Sequence, residues 1–246
     1  MRSDRSEAII LYTHPSRERD KLVVFFTPEH GKLKGWAYGA RSLRSRFGAS
    51  LEPLAKVRIG WFEKETEEVV RIESVDLIRS LFPAQQHLLP SLAATYLAEH
   101  VDTFAQPNDP SAILYRLLDR TSAALLAGLP VEPVVAYFEI WLLRIAGVFP
   151  SIRECGGCGR PLSTPLRYDE GAGVFVCGDC GASAGRIVPN EVSEALGAIL
   201  REPVEEFAGR PLPRPLLFEL RAFARWLRRN FLQHELKSHD LLQAMF

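Results

Sequence analysis

The sequence predicts an α+β multidomain protein, with a five-stranded OB-fold barrel at the amino terminus followed by an α-helical domain carrying a four-cysteine ribbon. Three observations carry that expectation. Short β-branched and aromatic runs fill residues 6 to about 78. Past Phe82-Pro83 the apolar spacing changes to the helical period. The only four cysteines form two CxxC pairs, Cys155/Cys158 and Cys177/Cys180, with eighteen residues between them. The expected boundaries are residues 1–80 for the barrel, 81–152 and 188–246 for the helical domain, and 153–187 for the ribbon.

The strands fall at Ala8–Tyr12, Leu22–Thr27, Lys32–Tyr38, Lys56–Phe62 and Val69–Leu77. Pro15-Ser16, Pro28-Glu29-His30-Gly31 and the charged stretch 63–68 punctuate them as turns. Five short strands in so short a span suit an OB-fold, and an SH3-like barrel fits the pattern nearly as well.

In the helical part, Leu92, Tyr96, Leu97, Val101 and Phe104 mark one amphipathic face, which ends before Pro107. Asn108, Asp109 and Pro110 form the cap and first turn of a helix carrying Ile113, Leu114, Leu117, Leu118 and Leu125. The stretch 130–148 is apolar nearly all round and reads as a buried central helix. Helices resume at Asn190, and a last long one runs from about Pro215 to Leu232.

Two thiolates two residues apart can grip one metal ion from a tight turn, and two such turns complete a tetrahedral site. Soft thiolates in a closed shell favour zinc. The alternative is a pair of disulfides, but four cysteines in a chain of 246 residues point to a reducing compartment. No histidine lies between Pro150 and Pro189, so a single structural Zn2+ held by Cys155, Cys158, Cys177 and Cys180 is expected rather than an open catalytic one.

At 47% hydrophobic and 24% charged, the composition is that of a globular protein. The amino terminus is too charged for a secretory signal, and no apolar run approaches the roughly 20 residues that span a bilayer. A cytoplasmic location without membrane contact is therefore expected. Thirty acidic and thirty basic side chains cancel, so the distribution of charge matters more than its sum.

Between Gly31 and Leu51 stand Lys32, Lys34, Arg41, Arg44 and Arg46 with no acid among them. Strand alternation places Lys32, Lys34, Trp36 and Tyr38 on one face. Cations that track phosphates beside aromatic rings are how barrels bind single strands. The alternative makes Trp36 core and the lysines a solvated guard of an edge strand. A second basic strip, Arg214, Arg221, Arg225, Arg228 and Arg229, spans roughly a 100° arc of the last helix. A solvated arginine face would look the same, but two strips in a neutral protein favour a polyanion.

The six histidines are scattered, and none sits in a metalloprotease, nucleophile-elbow or phosphate-loop context. A non-enzymatic protein is expected. Glu18 and Asp20 read as turn and salt-bridge residues rather than an acid–base pair.

The local motifs resemble a known family. Glu18 and Asp20, Phe26-Thr27-Pro28-Glu29-His30-Gly31-Lys32, Gly39-Ala40-Arg41, Ser45-Arg46-Phe47 and Leu51-Glu52-Pro53 are similar to those of the bacterial recombination mediator RecO family. So are the CxxC pair set between helices and the closing Leu236-Lys237-Ser238 with Leu241-Leu242. Glu52, Leu54 and Ser16-Arg17 depart from the pattern, where Gln, Phe and a Gly are usual. The resemblance implies binding of single- and double-stranded DNA, strand annealing, and loading of RecA with RecR on strands coated by single-strand-binding protein (SSB). It implies docking of the acidic, Phe-ending SSB tail on the helical domain, and association with the bacterial nucleoid. Rival readings are a zinc-ribbon RNA-processing or ribosome-associated protein, and a scaffold gripping acidic protein tails.

Overall fold

In a computed structural model the chain is described except at residues 1, 17, 43, 44, 65–67 and 182–184, and at Arg2 and Ala49 only the backbone is described. Five strands open it: β1 (Arg2–Ser16), β2 (Asp20–Thr27), β3 (Gly31–Ala37), β4 (Lys56–Glu63) and β5 (Val70–Arg79), with a 3-10 turn at Gly48–Leu51. They close in the order β1-β2-β3-β5-β4, and the long β1 pairs with both β2 and β4. Closure rests on a short parallel contact, Gly35 opposite Val70 and Trp36 opposite Arg71. Five strands closed in this order form the expected OB-type barrel, and closing it removes the sheet edges.

Alternation fills the barrel. Val23 and Phe25 of β2, Leu33 and Ala37 of β3, Ile59 and Trp61 of β4 and Ile72 of β5 share one core with Phe47 and Leu51 from the β3–β4 loop. The outer side of β1 and β2 is covered as well: Ile9, Leu11, Val24 and Phe26 are buried although they lie outside that core. Being buried on both sides accounts for the unbroken apolar runs in these two strands. A bulge between Ile10 and Tyr12 turns β1 from one partner toward the other.

Among the described residues eight helices follow: α1 (Phe82–Gln85), α2 (Leu88–Phe104), α3 (Ala112–Leu126), α4 (Val131–Ile145), α5 (Asn190–Ile199), α6 (Val204–Gly209), α7 (Arg214–Leu232) and α8 (His239–Gln243). A three-stranded sheet, β6 (Arg167–Asp169), β7 (Val174–Val176) and β8 (Arg186–Ile187), lies between α4 and α5 in the order β7-β6-β8. Among the described residues no helix is long and apolar enough to cross a membrane.

The change from strand to helix falls between Arg79 and Phe82, but compactness divides the chain elsewhere. One unit comprises Met1–Val131 with Leu236–Phe246, the other Glu132–Glu235. In the first, α2 and α3 belong with the barrel. Asp119 of α3 accepts from Lys56 at 3.0 Å and from Arg79 at 2.7 Å, and Arg79 also donates to Ser122 at 2.8 Å. The closing segment returns to this unit, where the Glu99 carboxylate accepts from the backbone N–H groups of Lys237 (2.9 Å) and Ser238 (2.8 Å).

In the second unit α4 is buried almost all round, as expected. Its Trp141 donates through Nε1 to the Ile199 carbonyl at 2.7 Å, and the Tyr137 hydroxyl donates to the Glu202 carbonyl at 3.0 Å. The cysteine-bearing segment is not held by its thiols alone. Tyr168 and Phe175 pack edge-on at 5.1 Å, and Tyr168 meets Phe223 and Trp226 of α7 at 5.1 and 5.6 Å. Each such aromatic pair contributes about 0.5–1.5 kcal/mol beyond area burial.

Candidate metal centre and nucleic-acid interface

The Sγ atoms of Cys155, Cys158, Cys177 and Cys180 all lie within 4.8 Å of one another. No two of these sulfurs are bonded to each other, so all four face one another as candidate ligands. Backbone bonds build each turn: Cys155 N–H donates to the Arg160 carbonyl at 2.8 Å, and Gly159 N–H to Cys155 at 2.8 Å. In the second turn Gly181 N–H donates to the Cys177 carbonyl at 2.9 Å. The first turn is tied to β7 by Gly156 N–H on the Phe175 carbonyl at 2.9 Å. A Cβ on Gly156 would stand 2.6 Å from Val174, so only glycine lets the turn approach the strand this closely.

The donor set fits zinc. Tetrahedral thiolates about 2.3 Å from zinc stand roughly 3.8 Å apart, and Cys158 and Cys177 are separated by 3.8 Å. The Cys177 N–H, donating to Cys155 at 3.2 Å, is the main cause holding that thiol down at about 6. Arg160 lowers Cys158, while hydrogen bonding with Cys158 and the other two thiols pushes Cys180 up to about 12. A divalent cation at their centre would allow four such adjacent thiols to carry charge together.

Arg160 joins the two turns: Nε donates to Cys158 Sγ at 3.4 Å, and its Nη2 group to Cys177 Sγ at 3.6 Å and to the Asp179 carboxylate at 2.6 Å. Spacing identifies the four clustered cysteines but gave no hint of this outer residue, because its place depends on the two turns meeting.

The basic residues of the barrel separate into two kinds. Lys34 and Tyr38 are exposed and Trp36 is partly buried, all on the outward side of β3 and outside the barrel core. Tyr38 carries Arg71 over its ring at 5.6 Å, and Arg71 is also the strand neighbour of Trp36. Sequence reasoning missed Arg71, since pairing between β3 and β5 brings it to this face.

Lys32 requires a correction. Although it lies on the expected face, its ammonium is bound by the Asp102 carboxylate at 3.1 Å and by the Asp102 carbonyl, and its side chain is only 11% exposed. It anchors the start of β3 to α2 and is not available to a phosphate. Gly31 beside it has φ +67°, and a Cβ there would come within 2.2 Å of the Asp109 carbonyl oxygen. The Gly31-Lys32 pair thus packs the α2–α3 loop on the barrel.

The loop after β3 is anchored at both ends. The Asp20 carboxylate accepts from Gly39 N–H at 2.9 Å, and the Arg19 carbonyl accepts from Arg41 N–H at 2.9 Å. Phe47 sits in the barrel core. Between these anchors Arg41 and Arg46 are exposed, and Arg46 lies over the Phe47 ring at 4.9 Å. Arg44 lies outside the described residues.

The arginine strip of α7 is the larger correction. Arg221 and Arg228 are buried, not aligned on a solvated face. Arg221 pairs with Glu132 at 3.5 Å, and Arg228 with Glu139 at 3.0 Å and Glu235 at 2.5 Å. Arg225 shares Glu235 at 2.8 Å, which leaves Arg214 and Arg229 as the exposed members of the expected five. Helical periodicity placed the strip beside the apolar face but could not say which side of it was covered. The available signal was Glu139, an acid in the middle of the apolar run 133–143 of α4, where a buried carboxylate calls for a buried cation.

A closed five-stranded OB-type barrel, a helical part and four clustered cysteines together define the class: an OB-fold protein with a helical domain and a candidate metal site. The family model for the recombination protein O N terminal matches residues 1–81, and that for the recombination protein O C terminal matches residues 85–240. The chain belongs to the RecO family. It is 32% identical over 241 residues to the DNA repair protein RecO of Koribacter versatilis, covering 98% of each chain. It is 33% identical to the DNA repair protein RecO of Myxococcus xanthus, over 94% of this chain and 91% of that one.

Proposed function

We propose that this protein is a non-enzymatic mediator of recombinational DNA repair, the role carried by the family to which it belongs. On this reading it binds single- and double-stranded DNA, anneals complementary strands, and acts with RecR in loading RecA on SSB-coated strands. The observation that supports DNA binding best is the outward row Lys34, Trp36 and Tyr38 with Arg71 laid against it, next to the exposed Arg41 and Arg46. Arginines and lysines hold phosphates, and the aromatic side chains take bases without regard to sequence. Annealing requires sequence-tolerant holding of this kind, because either of two unrelated strands must be accepted. The zinc serves only to hold the two cysteine turns. Partner contacts with RecR and with the SSB tail are part of the same proposal and rest on the family resemblance.

The test is a salt titration of labelled single-stranded DNA. Each phosphate neutralised contributes about −0.7 to the slope of log affinity against log salt. Replacing Lys34, Arg41, Arg46 and Arg71 by Ala should flatten that slope by roughly 2 to 3. Trp36→Ala should cost about 1–3 kcal/mol of binding with the slope unchanged. An unchanged slope in the folded quadruple variant would place the DNA site elsewhere. Binding of RNA alone at equal length would favour the RNA-processing reading.

A further inference from the structure

The second unit contains a cleft of about 320 Å³ between the β6–β8 sheet and helices α5 and α7. Five aromatic side chains, Tyr168, Phe175, Phe218, Phe223 and Trp226, line it. Tyr168 meets Phe223 at 85° and Trp226 at 89°, so the rings form the walls of a box rather than a stack. Ile187 and Phe218, also in the lining, are more than half exposed. Large apolar side chains left open around a concave aromatic surface mark a binding site more often than an ordinary surface.

Its charge decides what kind of ligand. The lining holds two carboxylates, Glu170 and Glu219, against one guanidinium, Arg186, giving a formal charge of −1. Arg186 stands 4.0 Å from Glu219, its own side chain largely in solvent and that of Glu219 about half so. Burial is the main cause that pushes the Tyr168 hydroxyl up to about 12, with Glu170 and Asp169 adding to it. Aromatic walls with carboxylates at the rim attract an organic cation through ring quadrupoles and charge together, and repel an anion.

The geometry points to a receptor for a lysine or arginine side chain, presented by a basic segment of a partner protein with apolar flanking residues. The aliphatic stem would lie against the aromatic walls and the cationic head would reach Glu170 and Glu219. Arg186 then acts as an internal competitor, already occupying part of the acidic rim that the ligand needs. This inference uses the second unit alone and does not depend on the DNA-binding reading.

The test uses the full-length, zinc-loaded protein and three peptides: acetyl-Gly-Leu-Lys-Leu-Gly-amide, its norleucine analogue and its glutamate analogue. Trp226 is followed by its indole N–H resonance, assigned with Trp226→Phe. The lysine peptide should bind about tenfold more tightly than the norleucine peptide, matching a desolvated cation–π contact of roughly 1–2 kcal/mol. Glu219→Gln and Glu170→Gln should each weaken it several-fold. Arg186→Ala should strengthen it several-fold. Retained zinc and an unchanged melting temperature guard against misfolding of the variants. Equal binding of the lysine and norleucine peptides would reduce the cleft to an apolar groove and overturn the proposal. Tighter binding of the glutamate peptide, lost in Arg186→Ala, would overturn it in the other direction by making the site an anion receptor. Absence of binding by all three would overturn it as well.

Discussion

The Arg228 guanidinium donates to the Glu139 carboxylate at 3.0 Å, and neither side chain is more than 2% exposed. A buried ion pair need not stabilise relative to apolar residues, but removing one partner leaves a charge with no solvent to receive it. Here Glu235 reaches the same guanidinium at 2.5 Å and also holds Arg225 at 2.8 Å, so one cation organises two carboxylates.

Arg228→Ala should therefore lower stability by about 3–5 kcal/mol. Arg229→Ala, one residue further on the exposed side, should stay within about 0.5 kcal/mol. Urea denaturation of both variants checks the contrast. Equal midpoints would mean that α7 does not bury its arginines.

Lys32 and Arg46 should behave in opposite ways. Lys32→Met removes the contacts to Asp102, and since that carboxylate remains partly in solvent the loss should be only about 1 kcal/mol. Its effect on the salt slope of DNA binding should be nil. Arg46→Ala should leave the melting temperature alone and flatten the slope by about 0.7. Measuring both quantities on both variants separates an anchor from a phosphate contact.

The metal centre makes a chemical prediction. Purified protein should carry one zinc per chain, and Cys155→Ser or Cys177→Ser should lose it. Arg160 neutralises part of the charge on two thiolates from opposite turns, so Arg160→Ala should weaken zinc retention about 10–100-fold. It should also speed alkylation of Cys158, which is exposed. Transfer of zinc to a chromogenic chelator provides the readout. A transfer rate equal to that of the parent protein would deny Arg160 this role.

Two glycines with left-handed backbones test the packing on the barrel. At Gly31 (φ +67°) a Cβ meets the Asp109 backbone, whereas at Gly39 (φ +73°) it meets open space. Gly39→Ala should cost roughly 1–2 kcal/mol of backbone strain. Gly31→Ala should cost clearly more, because the α2–α3 loop must also move. Thermal melts of the two variants give the order, and the reverse order would count against the close approach.

By itself the sequence determined whatever depends on local pattern. Strand runs and turn residues specified five barrel strands, since pleat alternation and turn chemistry are properties of neighbouring residues. CxxC spacing picked out the four cysteines that the fold brings together, since two residues are what a metal-gripping turn needs. Alternation along β3 correctly put Lys34, Trp36 and Tyr38 on one side. Tertiary structure decided which cations remain in solvent. Lys32 and Lys34 are two residues apart on the same face, yet Asp102, seventy positions away, takes one and leaves the other exposed. Arg228 and Arg229 are adjacent, yet Glu139 and Glu235 bury the first. The same holds for Arg71, brought beside Trp36 by a parallel pairing, and for Arg160, which finds its second thiolate only when the two turns meet. A charge is recognisable from its residue type, but its solvation depends on neighbours distant in the chain, and solvation separates a ligand contact from a structural ion pair.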